Sequence, residues 1–461
     1  MKSLQKTPLA LAVLALTGLG LHGSALAQSN AELLNELQNL KARVQQLETQ
    51  LKAPQAPASA GAVDPDEFNR IRTKVEAQED AAESMGFKGL RISGMIDPTF
   101  VYSQRQNTAG FVFLNNFDGA EKSGLGDSFA FDNSYFGQAM LDFQKETESG
   151  QKWRLTLAPH KSASSGTNVG SIVHEASVSI PVDGASTRVI AGQLPDWSGY
   201  EYIWSNQQPL ISHNLLFDFT IPSFYSGAGM EFIRGKWDTK FLVGNINESR
   251  RAPGQKKPGV TYRTDYANSE FSGFGFAGTN TFETDQKINL YEVDGYYTRG
   301  DLTMQGQIGT GTAEGYASNG GKARWSGVSG LLGYKLTNRL QLTGRADYIA
   351  NSTNGGGVLG AYGDATGPDS RNGFGLPMAY DESTELWSTS GEKGVNRYAV
   401  TVGLNYLISA NHTPGSGLWN TGTWFKTELR YDTADGKVFL APDGSYKKDN
   451  LMFSTSLVFA F

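Results

Sequence analysis

The sequence predicts an all-β transmembrane barrel of about sixteen antiparallel strands, preceded by a short α-helical coiled coil. Three observations predict it. From Gly89 to the last residue, apolar and polar side chains alternate with a period of two. Ahead of that region Leu33, Leu37, Leu40, Val44, Leu47 and Leu51 are separated alternately by four and three residues. Beyond the extreme N-terminus no apolar run reaches the roughly 18 residues that a membrane-spanning helix needs, so a membrane can be crossed only with strands. Of the 461 residues 39% are hydrophobic, which suits a wall that hides its apolar residues in alternation.

In chain order, residues 1–27 read as an export leader. Lys2 and Lys6 supply a positive start, Leu9 to Leu21 a short apolar core, and Ala25-Leu26-Ala27 a small-x-small cleavage signal. The mature chain is expected to begin at Gln28. Residues 28–52 are expected to form a stalk: with Leu37, Val44 and Leu51 at a and Leu33, Leu40 and Leu47 at d, Glu36 and Arg43 fall at g while Lys41 and Glu48 fall at e. Both g–e pairs attract in a parallel assembly. The same spacing also suits an amphipathic helix lying on its own protein. Residues 53–63 read as a Pro/Ala linker. Residues 64–86 read as a second helix, capped by Asp64, with Pro65 in its first turn, Glu67 completing a capping box and Gly86 ending it.

Residues 87–461 carry the barrel. Leu90, Ile92, Ile96, Phe100 and Tyr102 share one parity, and Arg91, Ser93, Asp97 and Thr99 the other. The same alternation runs through Tyr398 to Tyr406 and Phe425 to Tyr431. Short turns at Glu148-Ser149-Gly150, Asp183-Gly184, Arg234-Gly235-Lys236 and Arg299-Gly300-Asp301 alternate with long polar connections, an asymmetry a soluble sandwich does not require. Fourteen strands are clear, and a hairpin of Gly259 to Tyr266 with Glu270 to Phe282 brings them to about sixteen; both counts are even, as a closed barrel with both ends on one side requires, and sixteen is the number expected. The last strand ends on Phe461, which resembles the C-terminal signature by which outer-membrane barrels are recognised for assembly.

Composition excludes several function classes. With no Cys there is neither a disulfide scaffold nor a thiolate metal site or nucleophile. A formal charge of -6 argues against a nucleic-acid partner, which calls for a clustered basic footprint. A barrel this wide encloses water rather than a side-chain core. Its inward parity carries a basic wall, Arg91, Arg154, Arg345, Arg397 and Arg430 among it, interspersed with acids such as Asp142, Glu292, Asp347 and Asp432. Mutual salt bridging is the plainer account of these charges.

One connection stands apart. After the fifth strand the chain runs through Asp196, Trp197, Tyr200, Glu201, Tyr202 and Trp204 to His213, Phe217, Asp218 and Phe219, with three acids and no Lys or Arg. Apolar side chains of this size need burial, so the segment is expected to fold back into the barrel. Its acids are then expected to face Arg91, Arg345, Arg397 and Arg430. A lid on the rim is the alternative.

Leader, stalk, linker, alternation and terminal Phe461 together resemble the trimeric outer-membrane porins, in particular the DcaP-like kind with an N-terminal periplasmic coiled coil. The resemblance implies an outer-membrane channel for small hydrophilic, in that group often anionic, solutes. It further implies a homotrimer, contacts with outer-membrane lipid and lipopolysaccharide, passage through the barrel assembly machinery, a periplasmic stalk and a constriction loop at the position of the aromatic segment. No catalytic residue, metal or cofactor is expected: His160, His174, His213 and His412 lie in no nucleophile motif. Two rival functions are an envelope tether acting through the coiled coil and an outer-membrane hydrolase.

Overall fold

A strand with lipid on one side and water on the other must find backbone partners along both edges, and only a closed barrel leaves no edge unpaired. The computed structural model describes residues 89–114, 136–158, 172–184, 186–248, 250–251, 253–283, 287–358, 374–410 and 422–461, together with Arg70, Thr73 and Lys74. The chain divides into two units, Met1–Asp80 and Ala81–Phe461. In the first, Arg70, Thr73 and Lys74 are helical and exposed. The expected leader, stalk and linker, and the rest of the second helix, lie outside the described residues.

The second unit is a closed antiparallel barrel of sixteen strands. Strand β1 comes in two pieces, Leu90–Ile96 and Thr99–Ser103, and β2 likewise in Thr108–Val112 and Ala139–Glu146. There follow β3 (Lys152–Leu157), β4 (Val173–Asp183), β5 (Thr187–Pro195), β6 (Phe224–Arg234), β7 (Trp237–Ile246) and β8 (Gly259–Ser269). Next come β9 (Ser272–Asn280), β10 (Ile288–Arg299), β11 (Leu302–Ala313) and β12 (Ala323–Lys335). The wall ends with β13 (Leu340–Ala350), β14 (Arg397–Ser409), β15 (Gly422–Ala434) and β16 (Asp449–Ala460). The hairpin expected between Gly259 and Phe282 is β8–β9.

The seam closes between β1 and β16, where Met95 pairs with Ala460 and Gly94 and Phe461 exchange both backbone hydrogen bonds at 3.0 Å. Pro98, lacking an N–H, interrupts β1. The break in β2 was not legible in advance: Val112 sits opposite Thr99 and Ala139 opposite Ile96, so two pieces far apart in sequence pair with one strand. Gly137, just ahead of the second piece, has φ 68, and a Cβ there would stand 2.4 Å from the Val112 carbonyl oxygen.

Tight hairpins gather at one rim, Gly235 and Gly300 turning at φ 60 and 61. The connections that follow β5, β7, β13 and β15 are long and leave the wall at the other. The tight-turn rim is therefore the periplasmic one. Outward-facing Ile92, Val293, Ile308, Leu332 and Val400 are more than half exposed, which is where lipid covers them. Aromatic side chains border this band, with Trp237, Tyr266 and Phe274 in a row near the tight rim and Tyr348 against Tyr398 near the other.

The aqueous lumen expected of so wide a barrel is partly filled by the connection expected to fold back into it. There 196–223 enters the barrel, and Leu215, Leu216 and Phe219 pack on Leu290, Trp325 and Ile349 of β10, β12 and β13. Trp204 reaches the far side, against Met95, Met140 and Ala460 of β1, β2 and β16. Large apolar side chains on a polar connection had to be buried somewhere, and the interior of this barrel is where they go.

Candidate functional site: the inward connection between β5 and β6

The segment keeps its shape through short-range polar contacts. At its start Asp196 accepts hydrogen bonds from the Ser198 amide at 2.7 Å and the Ser198 hydroxyl at 3.1 Å, and contacts the Tyr225 hydroxyl. Near its end a one-turn helix, α1 (Leu215–Phe219), is capped by Asn214, whose side chain accepts from the Phe217 amide at 2.9 Å. The Thr220 hydroxyl donates to the Leu216 carbonyl at 2.7 Å. Trp197 stacks near Tyr225, its ring 5.1 Å from the Lys240 ammonium, and Tyr200 shares a 2.8 Å hydroxyl contact with Ser329 of β12. Tyr202 points away from these contacts and is 59% exposed.

The wall holds the segment with buried charge. Arg345 of β13 donates to Glu201 at 2.8 Å, to the Ser212 carbonyl at 2.6 Å and to the His213 carbonyl at 2.8 Å, while its Nε meets Asp347 at 3.2 Å. Arg430 of β15 donates to the His213 carbonyl at 2.6 Å, is paired with Asp432 at 2.9 Å, and lies 3.9 Å from Asp218. Glu428 accepts from the Ile211 and Ser212 amides at 2.7 and 3.1 Å and from the Ser212 hydroxyl. Lys426 donates to the Ser205 and Gln208 carbonyls. Each ion is taken from water, and each is met by charge-assisted bonds to the segment or to a neighbouring carboxylate.

The five arginines of the basic wall therefore occupy two places. Arg345, Arg397 and Arg430 lie beneath the segment with fully buried side chains. Arg397 is paired with Asp432 at 2.8 Å and its guanidinium rests on the rings of Phe219, Phe374 and Phe439, 5.0 to 5.3 Å from their centres. Arg91 and Arg154 lie elsewhere, lining a cavity of about 250 Å³ with Lys145, Lys152, Glu146 and Glu175 near the tight-turn rim. Arg154 is paired there with Asp142 at 2.9 Å and with Glu175 at 3.3 Å.

Of the three acids on the segment, Glu201 and Asp218 meet wall arginines, whereas Asp196 is engaged by Ser198 and Tyr225. Burial pushes the Asp218 carboxyl up to about 8, an effect Arg430 only partly offsets, and its Oδ2 has no hydrogen-bond partner. Burial likewise holds His213 neutral, its pKa pushed down to about 3, with its ring stacked 4.0 Å from Phe217 and its Nε2 2.9 Å from the Tyr202 carbonyl oxygen. Lys426 and Glu428 stood on the inward parity in the sequence, but their role as anchors did not, because nothing local links them to residues some 220 positions away. Among the described residues no group of three or more His, Asp or Glu is placed to hold a metal ion.

The barrel is similar in fold to solved porins, though distantly. The anion-selective porin of Comamonas acidovorans aligns over 81% of this chain and 99% of its own, at 9% identity and a TM-score of 0.47. In-vitro folded OmpT of Vibrio cholerae aligns over 81% and 97% at 10% identity and 0.45. OprD of Pseudomonas aeruginosa aligns over 81% and 95% at 8% identity and 0.37. Likeness at these scores carries no argument about function. A search of curated proteins finds no match. The sequence model of one family does match, over residues 89–461, which is the whole described barrel from the turn before β1 to the closing Phe461. The chain belongs to that family, described as "Putative beta-barrel porin-2, OmpL-like", and is an outer-membrane channel of the porin type.

Proposed function

We propose that the chain forms a homotrimeric diffusion channel for small hydrophilic organic anions, with residues 196–223 as its constriction and the stalk of residues 28–52 in the periplasm. The observation that carries the constriction is the convergence of Arg345 on Glu201, Ser212 and His213: a connection meant for solvent needs no buried guanidinium to hold it inside the wall. The solute path borders the accessible Tyr202 and the partly covered Asn206 and Phe217. Its sign is supported by the cavity near the tight-turn rim, where Arg91, Lys145, Lys152 and Arg154 outnumber Glu146, Glu175 and the Asp142 that pairs with Arg154. A net positive vestibule with low-dielectric walls raises the local concentration of anions.

The test neutralises the segment's acids together, Asp196→Asn, Glu201→Gln and Asp218→Asn, and reads the reversal potential of the folded protein in planar bilayers under a salt gradient. A shift toward greater anion preference is expected. If reversal potential and single-channel conductance both match the parent protein, the segment does not border the conducting path. The coupling of Glu201 to Arg345 makes Glu201→Gln alone the most informative single change.

A further inference from the structure

At the rim opposite the tight turns, above the β1–β16 seam, lies a cleft of about 630 Å³ that takes no part in holding the inward segment. Two small hairpins build it. Met378–Asp381 pairs with Leu386–Thr389, and Phe439–Leu440 pairs with Tyr446–Lys447. They bring three aromatic rings into contact, Trp387 lying 5.3 Å from Tyr380 and 5.4 Å from Tyr446 at steep angles. Met378 and Leu440 pack beneath, so the rings are fixed from below while Tyr380 remains 47% exposed. The lysines stand around this floor, with the Lys437 ammonium 5.1 Å from the centre of the Trp387 ring.

The charges of the cleft do not cancel. It is lined by Arg105, Lys437, Lys447 and Lys448 against Asp443 and Asp449. Both carboxylates are already engaged: Asp449 is paired with Arg105 and accepts from the Tyr431 hydroxyl at 3.2 Å, and Asp443 accepts from the Ser445 amide and hydroxyl at 2.9 and 2.5 Å within its own turn. What faces the cavity is positive charge beside a rigid aromatic floor. A bare inorganic anion would use only the first. A ligand that uses both has a flat apolar face to lie on the rings and an anionic group within reach of the lysines.

We propose that this cleft is an external binding site for an acidic saccharide, a pyranose whose ring lies against Trp387 and whose carboxylate or phosphate is held by Lys437 and Lys447. Such a group comes from two sources, a free sugar acid in the medium or the phosphorylated sugars of lipopolysaccharide in the adjoining leaflet. The site is separate from the constriction, and binding is read without any need for conduction.

The test is calorimetric titration of the full-length protein in detergent with glucuronate and with glucose, before and after stripping co-purified lipopolysaccharide, whose presence is followed by mass spectrometry. Glucuronate is expected to saturate the site at least about tenfold more tightly than glucose. The double change Lys437→Ala and Lys447→Ala is expected to remove that preference, and Trp387→Phe to keep it while weakening both sugars. Titration seen only after stripping assigns the site to lipopolysaccharide sugars; titration seen beforehand assigns it to free solute. The lysines are surface residues and touch no part of the wall's backbone ladder, so a folded double variant that binds glucuronate as the parent does overturns the proposal. Equal binding of glucose and glucuronate, or saturable binding of neither after stripping, overturns it as well.

Discussion

Replacing Arg345 with Gln tests the anchoring of the inward segment. Its guanidinium is fully buried, as is Asp347, and the side chain of Glu201 is 4% exposed. Without the cation two buried carboxylates lose their counter-charge, the Ser212 carbonyl loses the Arg345 donor, and the His213 carbonyl is left with Arg430. Breaking a buried pair in this way costs about 3–5 kcal/mol, which moves the equilibrium between seated and released segment by about two to four powers of ten. The wall itself should survive, because β13 is held to β12 and β14 by backbone pairing at Leu331 and Thr401, which the side chain does not enter. Arg345→Lys keeps a charge but loses the planar fork, so its effect should be intermediate. Single-channel recordings of the heat-modifiable, folded variant are expected to show larger conductance or strong open-channel noise. Parent-like conductance and noise in folded Arg345→Gln would refute the anchoring role of Arg345.

Further predictions follow from other contacts. The raised Asp218 carboxyl favours the seated segment in its protonated form; that contribution is full below an unfolded value of about 4 and is lost as pH rises through about 8, so seating should loosen in alkaline solution and Asp218→Asn should flatten the pH profile of conductance. Deleting Phe461 removes the two backbone bonds to Gly94 and the ring that lies over that glycine, and should lower the folded outer-membrane fraction read by heat-modifiable mobility; an unchanged fraction would remove the closing role of the last residue. Replacing Leu40 and Leu47 with Asp should weaken the oligomer in mass photometry if the heptads assemble as proposed, and parent-like oligomers would count against the stalk.

How far the sequence carried depended on the range of each signal. Period-two alternation is local, so strands such as β14 and β15 and the β8–β9 hairpin were visible in it. The two-piece β2 was not, because Thr108–Val112 and Ala139–Glu146 join one strand only through their shared partner β1. The inward segment was legible from its aromatics and missing cations. Of its anchors, Arg345 is among the wall arginines expected opposite the segment's acids, whereas Lys426 and Glu428 looked like any inward charge until Ser205 and Ser212 were brought to them across the barrel. The outer cleft gave no sequence signal, since Tyr380, Trp387 and Tyr446 come from separate short hairpins.

The central claim is that this barrel conducts small anions past an anchored constriction. One recording tests it most directly: purified folded protein in a planar bilayer under a salt gradient. Discrete conductance steps with a reversal potential on the anion side are predicted. Folded barrels that insert and carry no current, or that prefer cations, would contradict it.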